Sequence, residues 1–367
     1  MRMIFGAFFE RPRSMSASAP LYPFVLEPLE RELLWGGQAL ATRYGKPGSA
    51  QARIGESWEC WDANRIRNGE ASGKTLGELR GLLGHALTGH ADPSGLFPLL
   101  TKFIDAHHSL SVQVHPGDDY ARRVEHQSVG KTECWYVLEA EPGAAIVLGW
   151  NRDTSRGEYL ERVKDGSLGE ILRHVPVHPG DTFYLPAGTL HAIGKRIILF
   201  EVQQPSDLTY RIFDYNRFGP DGKPRQLHVE KAADVLDFHA CTAGALSPLE
   251  YELHGLRRAT LVAERYFIVE RIALDSERRG LDLDGSPLTV TALGIPVELE
   301  AHGTAVRLEP YQTAVIPAAL ETVMLRSLAE DATILTAEPP SDPEVIERRF
   351  SRASVPVAQS TTFLAQF

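Results

Sequence analysis

The chain is poor in cysteine: only Cys60, Cys134 and Cys241 occur among its 367 residues. They are odd in number and widely separated, and none forms a Cys-x-x-Cys pair. The sequence therefore offers neither a disulfide framework nor a thiolate metal site. We expect a reducing compartment and predict a cytoplasmic protein.

Basic charge is also in deficit. The chain has 38 Lys and Arg residues against 48 Asp and Glu, a net charge of -10. Binding to nucleic acid or to an anionic membrane needs a basic surface that displaces counterions. The composition therefore argues against both partners, but it allows a small phosphorylated ligand held by a few local cations.

Long apolar runs are absent too, since no stretch approaches the roughly 20 residues that a membrane-spanning helix needs. The apolar start MRMIFGAFFERPRS is broken at once by Glu10, Arg11 and Arg13. We interpret residues 1–20 as a flexible leader ahead of the packed protein. A cleaved signal peptide is the less favoured alternative.

Most of the chain consists of short runs of Val, Ile, Leu, Phe and Tyr between turn residues, for example AAIVLGW, DTFYLPAG and RIILFEVQQ. Such runs predict a mainly β protein, an antiparallel jelly roll or barrel. Helical spacing occurs in ERELLWGGQALATRYG, in TLGELRGLLGHALTG with Thr75 as its cap, and in SRGEYLERVKDGSLGEILRHV, which is interrupted near Gly166. We expect these helices to be insertions between strands.

A second set of strands begins near residue 245. Its segment VELEAHGTAVRLEPYQTAVIPA echoes HVPVHPGDTFYLPAG, since in both a turn precedes a strand that ends in Pro-Ala. We therefore predict two related barrels, over residues 21–244 and 245–340, with a tail at 341–367. Only the first contains a set of candidate ligands, and we expect the isolated His302 at the surface.

The segment LSVQVHPGDDY, residues 110–120, has one apolar and one polar face. Side chains alternate along a strand, so its leucine and valines share one side. The other side carries Ser111, Gln113 and His115. A polar face of this kind needs partners inside the barrel.

Two further segments offer such partners. In GKTECWYVL, residues 130–138, strand alternation places Lys131, Glu133 and Trp135 on one face, and in GDTFYLPAGTLHAIG a turn precedes His191. Each segment alone is a weak signal. With His115 they provide two imidazoles and a carboxylate, the ligands of catalytic zinc or of non-haem iron with open positions.

The spacing of the last segment resembles the second cupin motif, which it matches position by position at Gly180, Pro186, Gly188 and His191. The first cupin motif has a histidine pair followed by a glutamate. Here Gln113 stands in place of the first histidine, and His115 and Glu133 follow. An amide oxygen can ligate a borderline ion, and the replacement favours zinc over an iron oxygenase.

Longer segments resemble the type I mannose-6-phosphate isomerases in their short bacterial form. They include LWGG, IGESWE, FPLLTKFIDA and LPAGTLHAIGKRIILFEVQQPSDLTYRIFDYNR, and the likeness covers residues 21–340. It implies a cupin jelly-roll enzyme with one Zn²⁺ per chain that interconverts mannose 6-phosphate and fructose 6-phosphate through an enediol. The implied zinc ligands are His115, Glu133 and His191, with Gln113 as the fourth candidate.

The same resemblance implies a catalytic role for Arg211 and substrate-binding roles for Ser111, Lys131 and Glu201. An enediol mechanism requires a group that stabilises an oxyanion and a positioned acid–base group. A phosphate requires fixed cations, which Lys131 and Arg211 can supply. The alternatives are a solvated strand-end lysine for Lys131 and an ion pair with Asp207 or Asp214 for Arg211.

Two other functions stay open: a cupin that binds a sugar phosphate as a sensor without turnover, and an iron-dependent cupin oxygenase.

Some conspicuous residues are interpreted as structural. We expect His107 and His108 near the surface or behind the ligands, and Cys134 packed on the strand face opposite Glu133. The tryptophans are expected in the core: Trp58, Trp61 and Trp135.

Overall fold

The computed structural model describes residues 21–91, 95–219 and 222–367. Strands dominate this part of the chain, as predicted. The leader predicted at residues 1–20 lies outside the described residues. No helix among the described residues is both long and apolar enough to cross a membrane.

The strands follow one another along the chain with short helices between some of them. In the first part they are β1 (Phe24–Val25), β2 (Leu29–Gly37), β3 (Ile54–Cys60), β4 (Leu100–Ala106), β5 (Val112–Val114), β6 (Glu133–Ala140), β7 (Ala145–Trp150), β8 (Leu172–Pro176), β9 (Thr182–Leu185), β10 (His191–Ala192), β11 (Ile197–Gln203) and β12 (Tyr210–Phe213). In the second part they are β13 (Leu249–Leu253), β14 (Leu256–Ala263), β15 (Ile268–Leu274), β16 (Arg279–Asp282), β17 (Leu288–Leu293), β18 (Val297–Ala301), β19 (Thr304–Leu308), β20 (Thr313–Ile316), β21 (Thr322–Ser327) and β22 (Ala332–Glu338). The helices are α1 (Ala39–Thr42), α2 (Leu76–Leu83), α3 (His85–Thr88), α4 (Asp118–Tyr120), α5 (Arg156–Asp165), α6 (Val229–Val235), α7 (Val345–Arg352) and α8 (Val357–Leu364), with shorter helical turns at Gly69–Ala71, Ala121–Glu125 and Leu168–Ile171.

Two of the three helical predictions are confirmed. The Thr75 hydroxyl accepts the Glu78 N–H at 3.1 Å and the Glu78 carboxylate accepts the Thr75 N–H at 2.7 Å, a reciprocal cap that begins α2. Helix α5 ends at Gly166, whose φ of +82° favours glycine. The remainder of that segment, from Leu172, forms strand β8.

The prediction for ERELLWGGQALATRYG is wrong over its first half. Residues 29–37 form strand β2, which pairs with β3, and only Ala39–Thr42 is helical. Glu, Arg and Leu are good helix formers, but pairing with a neighbouring strand outweighs that weak local preference.

The first barrel consists of two antiparallel sheets that face each other. Their strand orders are β2-β3-β4-β11-β6-β9 and β12-β5-β10-β7-β8. Buried side chains from both sheets fill the space between them, among them Ile104, Trp135, Ile146, Leu148 and Phe183. This is the predicted jelly roll, and its interior holds the candidate ligands.

The second barrel also consists of two sheets, with strand orders β1-β20-β17-β22-β15-β14-β13 and β16-β21-β18-β19. Its core includes Val290, Leu299, Val323 and Ile334. Strand β1 comes from the start of the described chain yet pairs with β20. The boundaries 21–244 and 245–340 stay a prediction. The pairing shows in addition that β1 forms an edge of the larger sheet of the second barrel.

The two barrels pack through the outer faces of their larger sheets. From the first barrel, Phe103, Cys134 and Phe200 join a buried cluster with residues of the second, among them Phe267, Val269, Val315 and Leu335. Cys134 thus faces away from its neighbour Glu133, as expected. The tail, residues 341–367, forms α7 and α8, whose Val345, Phe350 and Phe363 pack on the second barrel.

Candidate metal centre

Three candidate ligands come together between the two sheets of the first barrel. His115 follows β5 and His191 begins β10 in one sheet, while Glu133 begins β6 in the other. The Nε2 atoms of His115 and His191 each lie 3.4 Å from a carboxylate oxygen of Glu133. One ligand atom from each of the three residues lies within 4.8 Å of the others, and all three side chains are buried.

Backbone hydrogen bonds orient both imidazole rings. The Nδ1 atom of His115 lies 2.7 Å from the Leu208 carbonyl, and that of His191 lies 2.8 Å from the Thr189 carbonyl. A carbonyl can only accept, so each Nδ1 is the protonated nitrogen and each Nε2 presents its lone pair toward Glu133.

Electrostatics keep both rings in the neutral form that binds metals. Burial, reinforced by the neighbouring Lys131 ammonium, lowers the pKa of His115 to about 3, and burial lowers the pKa of His191 as well. The contacts with Glu133 are therefore not ion pairs of a protonated histidine.

Lys131 lies among the ligand atoms. Its Nζ is 2.5 Å from Oε2 of Glu133 and 3.1 Å from Nε2 of His115. Burial alone would raise the pKa of Glu133, but the Lys131 charge holds it well below its usual value. Glu133 is thus an ionised carboxylate.

The site fits a divalent metal. Within the described part of the chain, neither oxygen of the buried Glu133 carboxylate has a hydrogen bond of regular geometry, despite the nearby ammonium. A buried charge needs such compensation. Two neutral imidazoles and one carboxylate are a common ligand set for zinc or iron, and these three residues could hold such an ion.

Gln113 and Ser111 lie beside this set. The Gln113 amide nitrogen is 3.3 Å from Nε2 of His191, with which Gln113 pairs across β5 and β10. The Ser111 hydroxyl donates to the Gln113 amide oxygen at 3.3 Å. A 180° rotation of the Gln113 side-chain amide would exchange its oxygen and nitrogen. The amide oxygen could then serve as a fourth ligand.

Glu201 lies deeper in the same interior. Its carboxylate accepts a hydrogen bond from the Trp135 indole at 2.9 Å and lies 3.2 Å from Nζ of Lys102. Trp135 is buried as predicted, and its ring also packs against His191.

Lys102 is the residue that the sequence reasoning missed. It is 4% exposed on β4. Burial alone would lower its pKa, but Glu56 and Glu201 raise the pKa overall and keep the ammonium charged. The available signal was a single lysine inside the apolar strand LLTKFIDA, because a buried lysine requires a partner.

Arg211 is on β12, where it pairs with Gln113 of the neighbouring strand β5. Its guanidinium donates to the Gln226 carbonyl at 3.1 Å, and its Nε has no partner among the described residues. Asp214, one of the two ion-pair partners considered for Arg211, instead binds Arg217 and Arg225 at 2.5 Å each. The structure thus leaves part of the Arg211 guanidinium available at this edge of the site.

Most of the residues interpreted as structural agree with that interpretation. His107, His108 and His302 are exposed. Trp58 is buried at 3%, whereas Trp61 is only partly buried, so the core prediction for Trp61 is wrong. Trp61 lies just beyond the end of β3, where it packs edge-on against Trp58.

Comparison with known proteins points to one family. The family model described as phosphomannose isomerase type I, catalytic domain, matches residues 24–143. The chain is 40% identical to the probable mannose-6-phosphate isomerase GmuF of Bacillus subtilis over 224 residues, which are 59% of this chain and 68% of that protein. It is 41% identical to mannose-6-phosphate isomerase ManA of the same organism over 256 residues, 67% and 78% of the two chains.

The fold agrees with these matches. The crystal structure of the mannose 6-phosphate isomerase from Bacillus subtilis superimposes with a TM-score of 0.78 at 30% sequence identity. The match covers 86% of this chain and 99% of that chain. The likeness thus extends over both barrels.

Proposed function

The chain belongs to the type I mannose-6-phosphate isomerase family, and from this premise we propose that it interconverts mannose 6-phosphate and fructose 6-phosphate through an enediol, with one Zn²⁺ per chain. The relatives are named as mannose-6-phosphate isomerases, which favours an enzyme over a sensor that only binds a sugar phosphate.

The observation that carries the proposal is the buried His115, Glu133 and His191 set inside the first barrel. We propose these three residues as zinc ligands and Gln113 as the fourth. A bound zinc ion would act as a Lewis acid toward the sugar oxygens. The amide of Gln113 would fill a position that the two-histidine, one-carboxylate site of an iron oxygenase leaves open, which supports zinc over iron.

Around the ligands, the chain's own residues supply charge and proton-carrying groups. We propose that Lys131 and Ser111 bind the substrate, with Lys131 as a fixed cation for an anionic ligand. Glu201 and Lys102 are a buried carboxylate and ammonium 3.2 Å apart on the same face of the interior. Moving a proton between adjacent sugar carbons requires a titratable group of this kind.

Arg211 is proposed as the catalytic arginine. It is held across from Gln113, and its unpaired Nε leaves it able to donate to an oxygen that gains negative charge during the reaction. Burial and the nearby Arg225 lower the pKa of Arg211. An anionic ligand would relieve that repulsion between arginines.

The substrate class follows from the family: a small phosphorylated sugar. Cys60, Cys134 and Cys241 are unpaired thiols, which supports a reducing, cytoplasmic location.

The reaction can be followed in D₂O by NMR with mannose 6-phosphate as the only substrate. Fructose 6-phosphate that carries deuterium at C1 supports both the isomerase and the enediol, because a proton lifted from C2 can exchange with solvent. Product without deuterium would mean that the abstracted proton is returned before it exchanges with solvent or that hydride is transferred directly. Absence of product refutes the proposed activity.

A further inference from the structure

A turn of the second barrel, residues 264–267 between β14 and β15, contacts the loop that follows His115. The hydroxyl of Tyr266 donates to Oδ2 of Asp118 at 2.9 Å. Asp118 begins α4, three residues after His115. A side chain of the second barrel thus contacts the loop that follows a candidate ligand.

The turn itself is rigidly held. The Glu264 carboxylate accepts the N–H groups of Tyr266 and Phe267 at 2.6 and 3.1 Å, and Phe267 is fully buried between the barrels. The Arg265 guanidinium donates to the Tyr266 hydroxyl oxygen at 2.7 Å. The hydroxyl proton is therefore free to point at Asp118, which as a carboxylate can only accept.

The Asp118 carboxylate binds two further donors. Its Oδ1 accepts the Gly130 N–H at 2.8 Å and the Gln204 amide at 3.0 Å. Burial alone would raise the pKa of Asp118, but these bonds and the one from Tyr266 lower it. The ionised Asp118 thus links the second barrel to the residue that follows β11 and to the segment that precedes β6.

That segment carries Lys131. The Gly130 backbone packs so closely on the Asp118 loop that an added Cβ would lie 2.4 Å from the Pro116 carbonyl. The Lys131 N–H donates to the same carbonyl at 3.0 Å, and the Thr132 N–H donates to the Gln204 amide oxygen at 2.9 Å. The main chain at residues 130–132 is therefore held by Asp118, by its partner Gln204 and by the Pro116 carbonyl.

We propose that Tyr266 is a positioning residue, through which the second barrel fixes the Asp118 carboxylate and hence the main chain that presents Lys131 to the substrate. This inference rests on the proposed function, in which Lys131 binds mannose 6-phosphate. The second barrel then contributes to substrate binding as well as covering an apolar face of the first.

A Tyr266→Phe variant of the full chain tests this, because it removes one hydroxyl and no ring. We expect KM for mannose 6-phosphate to rise by about three- to tenfold, the size of one typical net hydrogen bond. Partial unfolding would lower the apparent kcat but would leave KM unchanged. The matched control is Tyr251→Phe, which removes a hydroxyl that donates to Glu270 within the second barrel, and its KM should equal that of the wild type.

A double variant locates the effect. If Tyr266 acts through Lys131, then adding Tyr266→Phe to Lys131→Ala raises KM no further. The proposal is overturned if Tyr266→Phe alone leaves KM unchanged, if Tyr251→Phe raises it equally, or if the two substitutions act additively.

Hydrogen exchange separates this proposal from the proposed function. The amide of Gly130 should exchange faster in Tyr266→Phe than in the wild type, and this readout needs no turnover. A wild-type protein that did not convert mannose 6-phosphate would refute the function alone. Unchanged protection of Gly130 in the variant would refute the role of Tyr266.

Discussion

Nε2 of His191 lies 3.4 Å from Oε1 of Glu133, although the two residues belong to opposite sheets of the first barrel. At neutral pH the His191 imidazole is uncharged and the Glu133 carboxylate is ionised. One metal ion bound by both residues would therefore join the two sheets as well as form the site.

Replacing His191 with alanine should remove one of the proposed metal ligands. We expect zinc content to fall well below one ion per chain and kcat to fall by about 10²-fold or more, measured by elemental analysis and a coupled assay. The control is His107→Ala, an exposed histidine after β4, which should keep both. A His191→Ala protein with full activity and no metal would show that the site is wrongly assigned.

Replacing Arg211 with alanine separates catalysis from binding. If Arg211 stabilises charge that develops during the reaction, kcat should drop by about 10²-fold in Arg211→Ala. The affinity for mannose 6-phosphate, measured by calorimetry, should fall by a smaller factor than kcat. Arg307→Ala serves as the control, because Arg307 is exposed on the second barrel and pairs only locally with Glu309. Unchanged kcat in Arg211→Ala would argue against its catalytic role.

Two adjacent arginines of α7 should differ sharply in their effect on stability. Arg349 is buried and binds Glu270, Asp284 and Glu338 at 2.6 to 3.1 Å. Arg349→Ala removes a charge that these three carboxylates share and leaves the buried Glu338 without an ion pair among the described residues. We expect the free energy of unfolding to fall by about 3–5 kcal/mol. Arg348 is exposed and pairs with Asp342, so Arg348→Ala should lower the free energy of unfolding far less than Arg349→Ala. Urea unfolding measures the free energy of unfolding of both variants. Equal losses would contradict the view that the buried Arg349 stabilises the fold more than the exposed Arg348.

The same cluster predicts a pH dependence. Burial would raise the pKa of Glu270, but Arg258 and Arg349 lower it to about 2, below its ordinary value of 4.5. A carboxyl whose pKa is lower in the folded state stabilises the protein above the unfolded pKa, and this contribution is lost as pH falls toward the folded pKa.

The difference in free energy of unfolding between wild type and Glu270→Gln should therefore be largest above about pH 5 and shrink as pH falls from about 5 to 2. Urea titrations at several pH values measure this difference directly. A difference that stayed constant with pH would mean that Glu270 has an ordinary pKa in the folded protein.

Local patterns predicted the jelly roll, the cap at Thr75 and the segments that bring His115, Glu133 and His191 together. Strand alternation placed Gln113 with His115 and Glu133 with Trp135, and the cupin-like spacing indicated His191. The roles of these residues stay predictions, since their geometry alone identifies neither the metal nor the reaction.

Long-range pairing lay beyond such patterns. Nothing local in Phe24–Val25 indicates that β1 pairs with β20, nearly 300 residues later. The segment at β2 reads as helix until its pairing with β3 is known. Lys102 and Tyr266 were missed for the same reason, because each acts with a partner that is distant in the sequence.

The most direct test of the account measures the conversion of mannose 6-phosphate to fructose 6-phosphate in three samples. These are the purified protein, the chelator-stripped protein, and the stripped protein with one equivalent of Zn²⁺ restored. The account predicts turnover that disappears with the metal and returns with about one zinc per chain. Full turnover in a stripped, metal-free sample would contradict it.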